Sequence, residues 1–387
     1  MMDKRVARMG DPFFCYLQPA PCYLPEKKSA ILFRHSNPNF LRLTLLAAVS
    51  LISVAPLLAQ TGGGITHVDT VPAPSLRNNL LGDPDERLAT VYLPPSYSRS
   101  ARKRYPVIYF LHGFDADHRA FMKGGYEDLN VRITMDSLIR AGLSKEMIVV
   151  TPNARNFFDG GFYANSSATG NWEDFVVRDL VRYMDRRYRT IRNRSGRGIA
   201  GHSMGGFGAL RVGMRNPETF SAIYMLSAFG LSEYDSIQSV GAPTWKKAVA
   251  LTDTSEYLKA GFMADLMYGL AGVYSPNPSK PPFFVDLPFR LEGDSLVLIP
   301  EVAKKWTETP IAMVPKYAAN LRRMHIGFDA GADDGFRDIP LNVNRLDSML
   351  TALDVPHEAE VYPGNHMKGI RGRIESKMIP FFSKALH

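Results

Sequence analysis

Gly198-Ile199-Ala200-Gly201-His202-Ser203-Met204-Gly205-Gly206-Phe207-Gly208 is the stretch whose reading decides the fold. Ile199-Ala200 reads as the end of a buried strand, and Gly206, Gly208 and Ala209 read as the first turns of a helix pressed close to a sheet. Ser203 stands between them, flanked by Gly201 and Gly205. A serine perched on a sharp strand-to-helix turn occupies strained backbone, so its neighbours must be small. The helix start that follows aims free N–H groups and the positive end of a dipole at the serine.

Working outward, short apolar runs stop at turn residues. Leu88–Leu93 ends at Pro94-Pro95, Pro106–Leu111 at His112-Gly113 and Met147–Val150 at Thr151-Pro152. Further runs lie at Phe220–Leu226, Met324–Asp329 and Glu358–Tyr362. Continuous apolar runs of this length suit strands buried on both faces. Residues 171–189 carry helical spacing, with Asn171 as the expected cap. Strands alternating with helices imply an α/β sheet, mostly parallel, with helices on both faces. Residues 61–86, rich in Gly, Pro, Asn and Asp, read as an exposed lead-in to one domain over 61–387. The alternation fails after Ser227, where two helices (254–269 and 299–323) and a Pro-rich segment are expected. Residues 228–308 therefore read as a helical cap inserted over the site.

A serine hydroxyl needs a base within hydrogen-bond reach. Gly-x-Ser-x-Gly resembles the nucleophile elbow of α/β-hydrolases, in which serine, acid and histidine follow in that chain order. Of the histidines after Ser203, His366 sits just past the last strand, in Pro363-Gly364-Asn365-His366. Chemistry in such sheets gathers at strand carboxyl ends, so His366 is the expected base. His325 lies within a strand, His357 at the wrong end of one, and His387 at the terminus. The acid should leave the preceding strand, where Asp333 and Asp334 are both candidates; Asp329 is still in the strand and Asp338 lies further out. An oxyanion needs preorganised N–H donors. The amides of Met204, next after the serine, and Phe114, past the early strand, are expected to supply them. His112 reads as structural, and His202 has no assigned chemistry.

Tyr92-Leu93-Pro94-Pro95, Leu111-His112-Gly113, Trp172-Glu173-Asp174-Phe175, Gly201-His202-Ser203-Met204-Gly205-Gly206, Gly331-Ala332-Asp333-Asp334 and Gly364-Asn365-His366 occur in this order. The ordered set resembles the esterase D family of α/β-hydrolases, which includes feruloyl esterases, S-formylglutathione hydrolases, enterochelin-type esterases and mycolyltransferases. The resemblance spans roughly residues 80–385. It implies an α/β-hydrolase fold, with Ser203 as nucleophile, His366 as base and Asp334, the second aspartate, as acid.

Half of the formal net charge of +8 lies in residues 1–60, where seven Lys/Arg outnumber three Asp/Glu. The remainder has no basic run interleaved with aromatics, so nucleic-acid binding is not expected. Cys15 and Cys22 are the sole cysteines. The body therefore has no disulfide framework, thiolate metal site or cysteine nucleophile. No His/Asp cluster at metal-ligand spacing is present, and no metal or cofactor is expected. The apolar run within residues 40–59, uncharged from Leu43 to Ala59, preceded by Arg34 and Arg42 and broken by Pro56, reads as a secretory signal peptide cut near Ala59. The expectation is a secreted or periplasmic serine hydrolase. It would act on small-molecule or carbohydrate-linked carboxylic esters, without stable membrane insertion after cleavage. The alternatives are an acyltransferase using the same triad and a catalytically inactive secreted binding protein on the same fold.

Overall fold

The computed structural model describes residues 62–122, 126–232, 237 and 240–387. The leader expected over residues 1–60 lies outside the described residues. The largest sheet among them has eight strands: β1 (Ile65–Pro72), β2 (Glu86–Leu93), β3 (Val107–Leu111), β4 (Ile148–Pro152), β5 (Arg197–His202), β6 (Ala222–Leu226), β7 (His325–Gly331) and β8 (Glu358–Tyr362). Their spatial order is β1-β2-β4-β3-β5-β6-β7-β8. β1 and β2 pair antiparallel, as do β2 and β4, and every other neighbouring pair is parallel. This is an α/β-hydrolase sheet. Its parallel part sends the carboxyl ends of β3, β5, β6, β7 and β8 to one edge.

Alternation of side chains along each strand builds two cores. Val107, Tyr109 and Leu111 of β3 face the side that holds Ile199, Phe207, Leu210 and Met225. Ile108 and Phe110 face the other, with Ala200, Tyr224, Met378, Ile379 and Phe382. Helix Met204–Arg215 packs on the first side. Helix Val131–Arg140 and the C-terminal helical segment 370–385 pack on the second. Gly213 allows the close approach of Met204–Arg215 to the sheet: a Cβ there would meet Ile223 Cδ1 at 2.5 Å.

Several elements differ from the sequence reading. The lead-in contains β1, an edge strand whose residues are exposed on both faces except near its end. With no buried face it has no apolar alternation, and pairing to β2 alone makes it a strand. The helix expected over 171–189 runs from Trp172 to Arg187, with a wider π turn at Phe175–Leu180. Asn171 does not cap it; Asn165 Oδ1 instead accepts the Asp174 N–H at 3.0 Å. The helix expected over 299–323 is two, Pro300–Lys305 and Pro310–Leu321, because Thr309 caps a new start ahead of Pro310. Between β6 and these lie helices Ala242–Val249, Thr254–Tyr257 and Phe262–Tyr274 and a hairpin of Phe289–Glu292 with Ser295–Leu298. The inserted segment is therefore mixed rather than purely helical. Its interior is aromatic: the Trp245 and Trp306 rings meet at 5.9 Å, and Trp306 Nε1 donates to Ser275 Oγ at 2.9 Å. Among the described residues no helix is long and apolar enough to cross a membrane.

Candidate active site

β5 ends in a turn that only glycine-flanked backbone can make. Ser203 has φ 55° and ψ −117°, a conformation that L residues rarely adopt. The surroundings hold it there. The Ser203 N–H donates to the Leu226 carbonyl at 3.0 Å, and its own carbonyl accepts from the amides of Gly206, Phe207 and Phe229. A Cβ at Gly201 would lie 2.1 Å from the Gly205 backbone, and one at Gly205 would lie 2.1 Å from the Leu111 carbonyl oxygen. Both contacts are with backbone, so neither can be relieved by a rotamer change. The small residues around the serine are thus required by contact within the turn, for Gly201, and with β3, for Gly205.

The loops after β7 and β8 are tied together. The amides of Ala332 and Asp333 donate to the carbonyls of Tyr362 and Gly364, each at 2.8 Å. This brings Asp334 to His366, whose Nδ1–H donates to Asp334 Oδ2 at 2.8 Å. The other oxygen, Oδ1, accepts the Phe336 N–H at 2.9 Å. Asp334 is buried, while the His366 side chain keeps a fifth of its surface exposed. With its proton on Nδ1, the neutral imidazole carries its lone pair on Nε2. The ring lies 4.7 Å from His202, the residue preceding Ser203, and 5.2 Å from Phe336. Asp333 is exposed on the same turn. The side chain that bonds the turn backbone is that of Asp334 itself.

The amides of Phe114 and Met204 lie at the ends of β3 and β5. Among the described residues neither donates to another protein group. The peptide that carries the Phe114 N–H has the Gly113 carbonyl as its other half. His112 Nδ1–H holds that carbonyl at 2.7 Å, and His112 Nε2 accepts the Ala154 N–H at 2.9 Å. Complete burial pushes His112 down to about 4, so it stays neutral in this bridging tautomer. His112 is structural in the sense read from sequence, and its structure serves the orientation of the Phe114 peptide. Met204 Sδ and the Phe114 ring also meet at Gly160, where a Cβ would contact them at 2.5 and 2.6 Å. The inserted segment reaches this point: Phe262, which opens helix Phe262–Tyr274, packs edge-on to Phe114 at 5.6 Å. The Phe162 ring also packs against Phe114, at 5.9 Å.

The remaining candidates fall elsewhere. Asp329 stays within β7, bonded to Tyr224 Oη at 2.7 Å and Arg373 Nε at 3.0 Å. Burial pushes its carboxyl up to about 6, although Arg373 pulls the other way. Asp338 opens the next helix. His325 is exposed at the start of β7, and His357 bridges the Val355 carbonyl and Asp347. Trp172 and Tyr163 are core, donating to the Thr169 and His112 carbonyls. The sequence reading missed the contacts of His202. Its ring links Tyr126 and the His366 backbone, partners 76 and 164 residues away. No local pattern announces contacts at such separation.

A family model described as "Putative esterase" matches residues 84–369. Esterase Rv1288 of Mycobacterium tuberculosis (strain ATCC 25618 / H37Rv) is 30% identical over 214 residues, 49% of this chain and 43% of that protein. The endo-1,4-beta-xylanase/feruloyl esterase of Xylanibacter ruminicola is 32% identical over 143 residues, 36% of this chain and 19% of that protein. The matched segment spans less than half the length of these curated relatives. Among solved structures, a ferulic acid esterase aligns with TM-score 0.59 and 25% identity, covering 84% of this chain and 98% of that one. An S-formylglutathione hydrolase from Agrobacterium tumefaciens aligns with TM-score 0.54 and 16% identity, covering 84% and 96%, a likeness of fold. The family match takes in the Ser203 turn, the loop after β3 and the two tied loops after β7 and β8, and on that span the chain belongs to the "Putative esterase" family.

Proposed function

We propose that this protein is a serine hydrolase that cleaves carboxylic esters through an acyl-enzyme. One observation carries the reading: the 2.8 Å bond from His366 Nδ1 to buried Asp334, which fixes an imidazole whose ring lies 4.7 Å from that of His202, the residue before the strained Ser203. In this reading His366 Nε2 takes the Ser203 proton as Oγ bonds to the ester carbonyl carbon. The amides of Phe114 and Met204 hold the oxyanion that forms. The imidazolium then returns the proton to the leaving alcohol as the C–O bond breaks. Water repeats the sequence on the acyl-enzyme and releases the acid. Asp334 stays ionised throughout and steadies the imidazolium.

The substrate expected is a small-molecule or carbohydrate-linked ester. The test is a hydrolysis screen of the protein on short-chain aryl esters, feruloylated and acetylated sugars and a thioester, with alcohol and sugar acceptors added in parallel. Turnover of at least one ester, free acid being the product, supports the reading. Acyl transfer to an acceptor in preference to water would make the protein a transferase. Failure on every ester, with tight binding of one of them, would favour the inactive binding protein.

Two further proposals can be measured separately. The inserted segment 228–308 shapes substrate choice, because Phe262 abuts Phe114 beside the oxyanion amide. Replacing it with a short linker is expected to reorder preference among bulky esters by about tenfold, roughly the worth of a lost apolar contact. Its effect on a small aryl acetate should be much smaller. An unchanged preference profile would remove the segment from the site. Export is proposed from the apolar run over residues 40–59. N-terminal sequencing of protein from the native host is expected to begin near Gln60; an intact Met1 in the cytosolic fraction would contradict it.

A further inference from the structure

His202 is almost wholly buried, yet neither ring nitrogen is idle. Nε2 lies 2.9 Å from the His366 carbonyl oxygen, and Nδ1 lies 3.2 Å from Tyr126 Oη. A carbonyl can only accept, so the proton is on Nε2. Burial holds the ring well below the ordinary histidine range, with the neighbouring His366 adding to the effect. The ring is therefore neutral, and Nδ1 is a bare acceptor. Tyr126 must then donate its O–H to Nδ1. The Tyr126 oxygen in turn lies against the oxyanion loop, where a Cβ on Gly113 would meet it at 3.2 Å. The Tyr126 and His202 rings meet edge-on at 4.8 Å, which fixes both planes.

We propose that His202 is a positioning residue, which clamps the backbone carbonyl of His366 through Nε2–H while Tyr126 holds it in that tautomer. The inference rests on the reading of His366 as base. Asp334 constrains the His366 ring from one side, at Nδ1; His202 constrains the main chain that carries the ring. Two anchors on different atoms leave Nε2 one place to point. His202 lies directly before Ser203, so base and nucleophile share one rigid support. A histidine that only filled space would need neither a donor aimed at His366 nor a hydroxyl fixing its tautomer.

The test compares His202→Gln, His202→Leu and Tyr126→Phe, alone and with Tyr126→Phe added to His202→Gln. A glutamine carries an amide N–H at a reach similar to Nε2; a leucine fills space without a donor. Loss of the clamp is expected to lower kcat for a small aryl acetate by about 100-fold in His202→Leu, the scale of a misplaced catalytic group. KM should stay within about twofold, since the clamp touches no substrate. His202→Gln should recover kcat to within about tenfold of wild type. Tyr126→Phe should cost about fivefold, the worth of one neutral hydrogen bond, and nothing further in the His202→Gln background, where no tautomer needs fixing. Equal kcat in the Gln and Leu variants would overturn the proposal. If His202→Leu does not fold, the Tyr126→Phe pair decides: equal losses in both backgrounds overturn it. His366→Ala separates the two levels. If it retains wild-type turnover, the base assignment fails. If it is inactive while His202→Leu is fully active, the clamp alone fails.

Discussion

Ser203→Ala is expected to lower kcat for ester hydrolysis by about 10⁴–10⁶ while leaving the fold intact, the scale seen when a member of a catalytic triad is removed. The stability half of this expectation comes from the backbone. The strain at φ 55° is borne by any residue with a Cβ, so alanine inherits it without adding to it. The bonds that hold the turn are made by the Ser203 amide and carbonyl, to Leu226 and from Gly206, Phe207 and Phe229, and all survive the change. The thermal midpoint is expected to move by no more than about 0.5 °C, which corresponds to a few tenths of a kcal/mol in a domain of this size. Steady-state kinetics and a melting curve on the same preparation check both halves. A variant that kept a tenth of wild-type turnover would remove Ser203 from the chemistry.

Asp334→Asn carries the second-largest expected loss, about 10⁴ in kcat. The reason is the proton on His366. Asp334 Oδ2 accepts from Nδ1 at 2.8 Å and so leaves the lone pair on Nε2. An asparagine amide can turn its NH₂ to Nδ1 and hold the opposite tautomer, with a proton where Ser203 needs an acceptor. The turn itself should survive, because an asparagine carbonyl can still accept the Phe336 N–H at the Oδ1 position. The expected cost in stability is about 1 kcal/mol, from one weakened charge-assisted bond. Asp333→Asn is the control. Its side chain is exposed, and its contribution to the turn is its amide, which donates to Gly364 and is unaltered by the change. Turnover within about twofold and stability within about 0.5 kcal/mol of wild type are expected. Measured kcat and thermal midpoints for both variants decide the assignment; a dead Asp333→Asn beside an active Asp334→Asn would reverse it.

The parts of the molecule legible in the sequence are those in which local chemistry and tertiary contact agree. Gly201 and Gly205 could be read as spacers because the contacts that exclude a Cβ there are with the turn itself and with β3, the strand next to β5. β3, β4 and β6 could be read because they are buried on both faces and carry unbroken apolar runs. The order of serine, acid and histidine came from the resemblance to α/β-hydrolases, and the strand ends then singled out His366 and the Asp333-Asp334 pair. The choice between Asp333 and Asp334 was not in the residues, because adjacent side chains on a turn diverge in directions that only the loop pairing with Gly364 sets. β1 was invisible because an exposed edge strand has no pattern to show. The inserted segment was read as helical since its hairpin, Phe289–Glu292 with Ser295–Leu298, is short and largely exposed. His112 could be read only as structural and His202 given no chemistry, because their partners, Ala154 for the first and Tyr126 and His366 for the second, are distant in the chain.

The central claim is that Ser203 is an activated nucleophile, and a covalent trap tests it most directly. Fluorophosphonates react with a serine whose hydroxyl is deprotonated by a neighbouring base, phosphorus taking the place of the ester carbonyl carbon and fluoride leaving. The intact mass of the treated protein, followed by peptide mapping, is the measurement. The expected result is one adduct per chain, located on Ser203, and no adduct in Ser203→Ala. An unlabelled protein that still hydrolyses esters, or a label on any residue other than Ser203, would contradict the account.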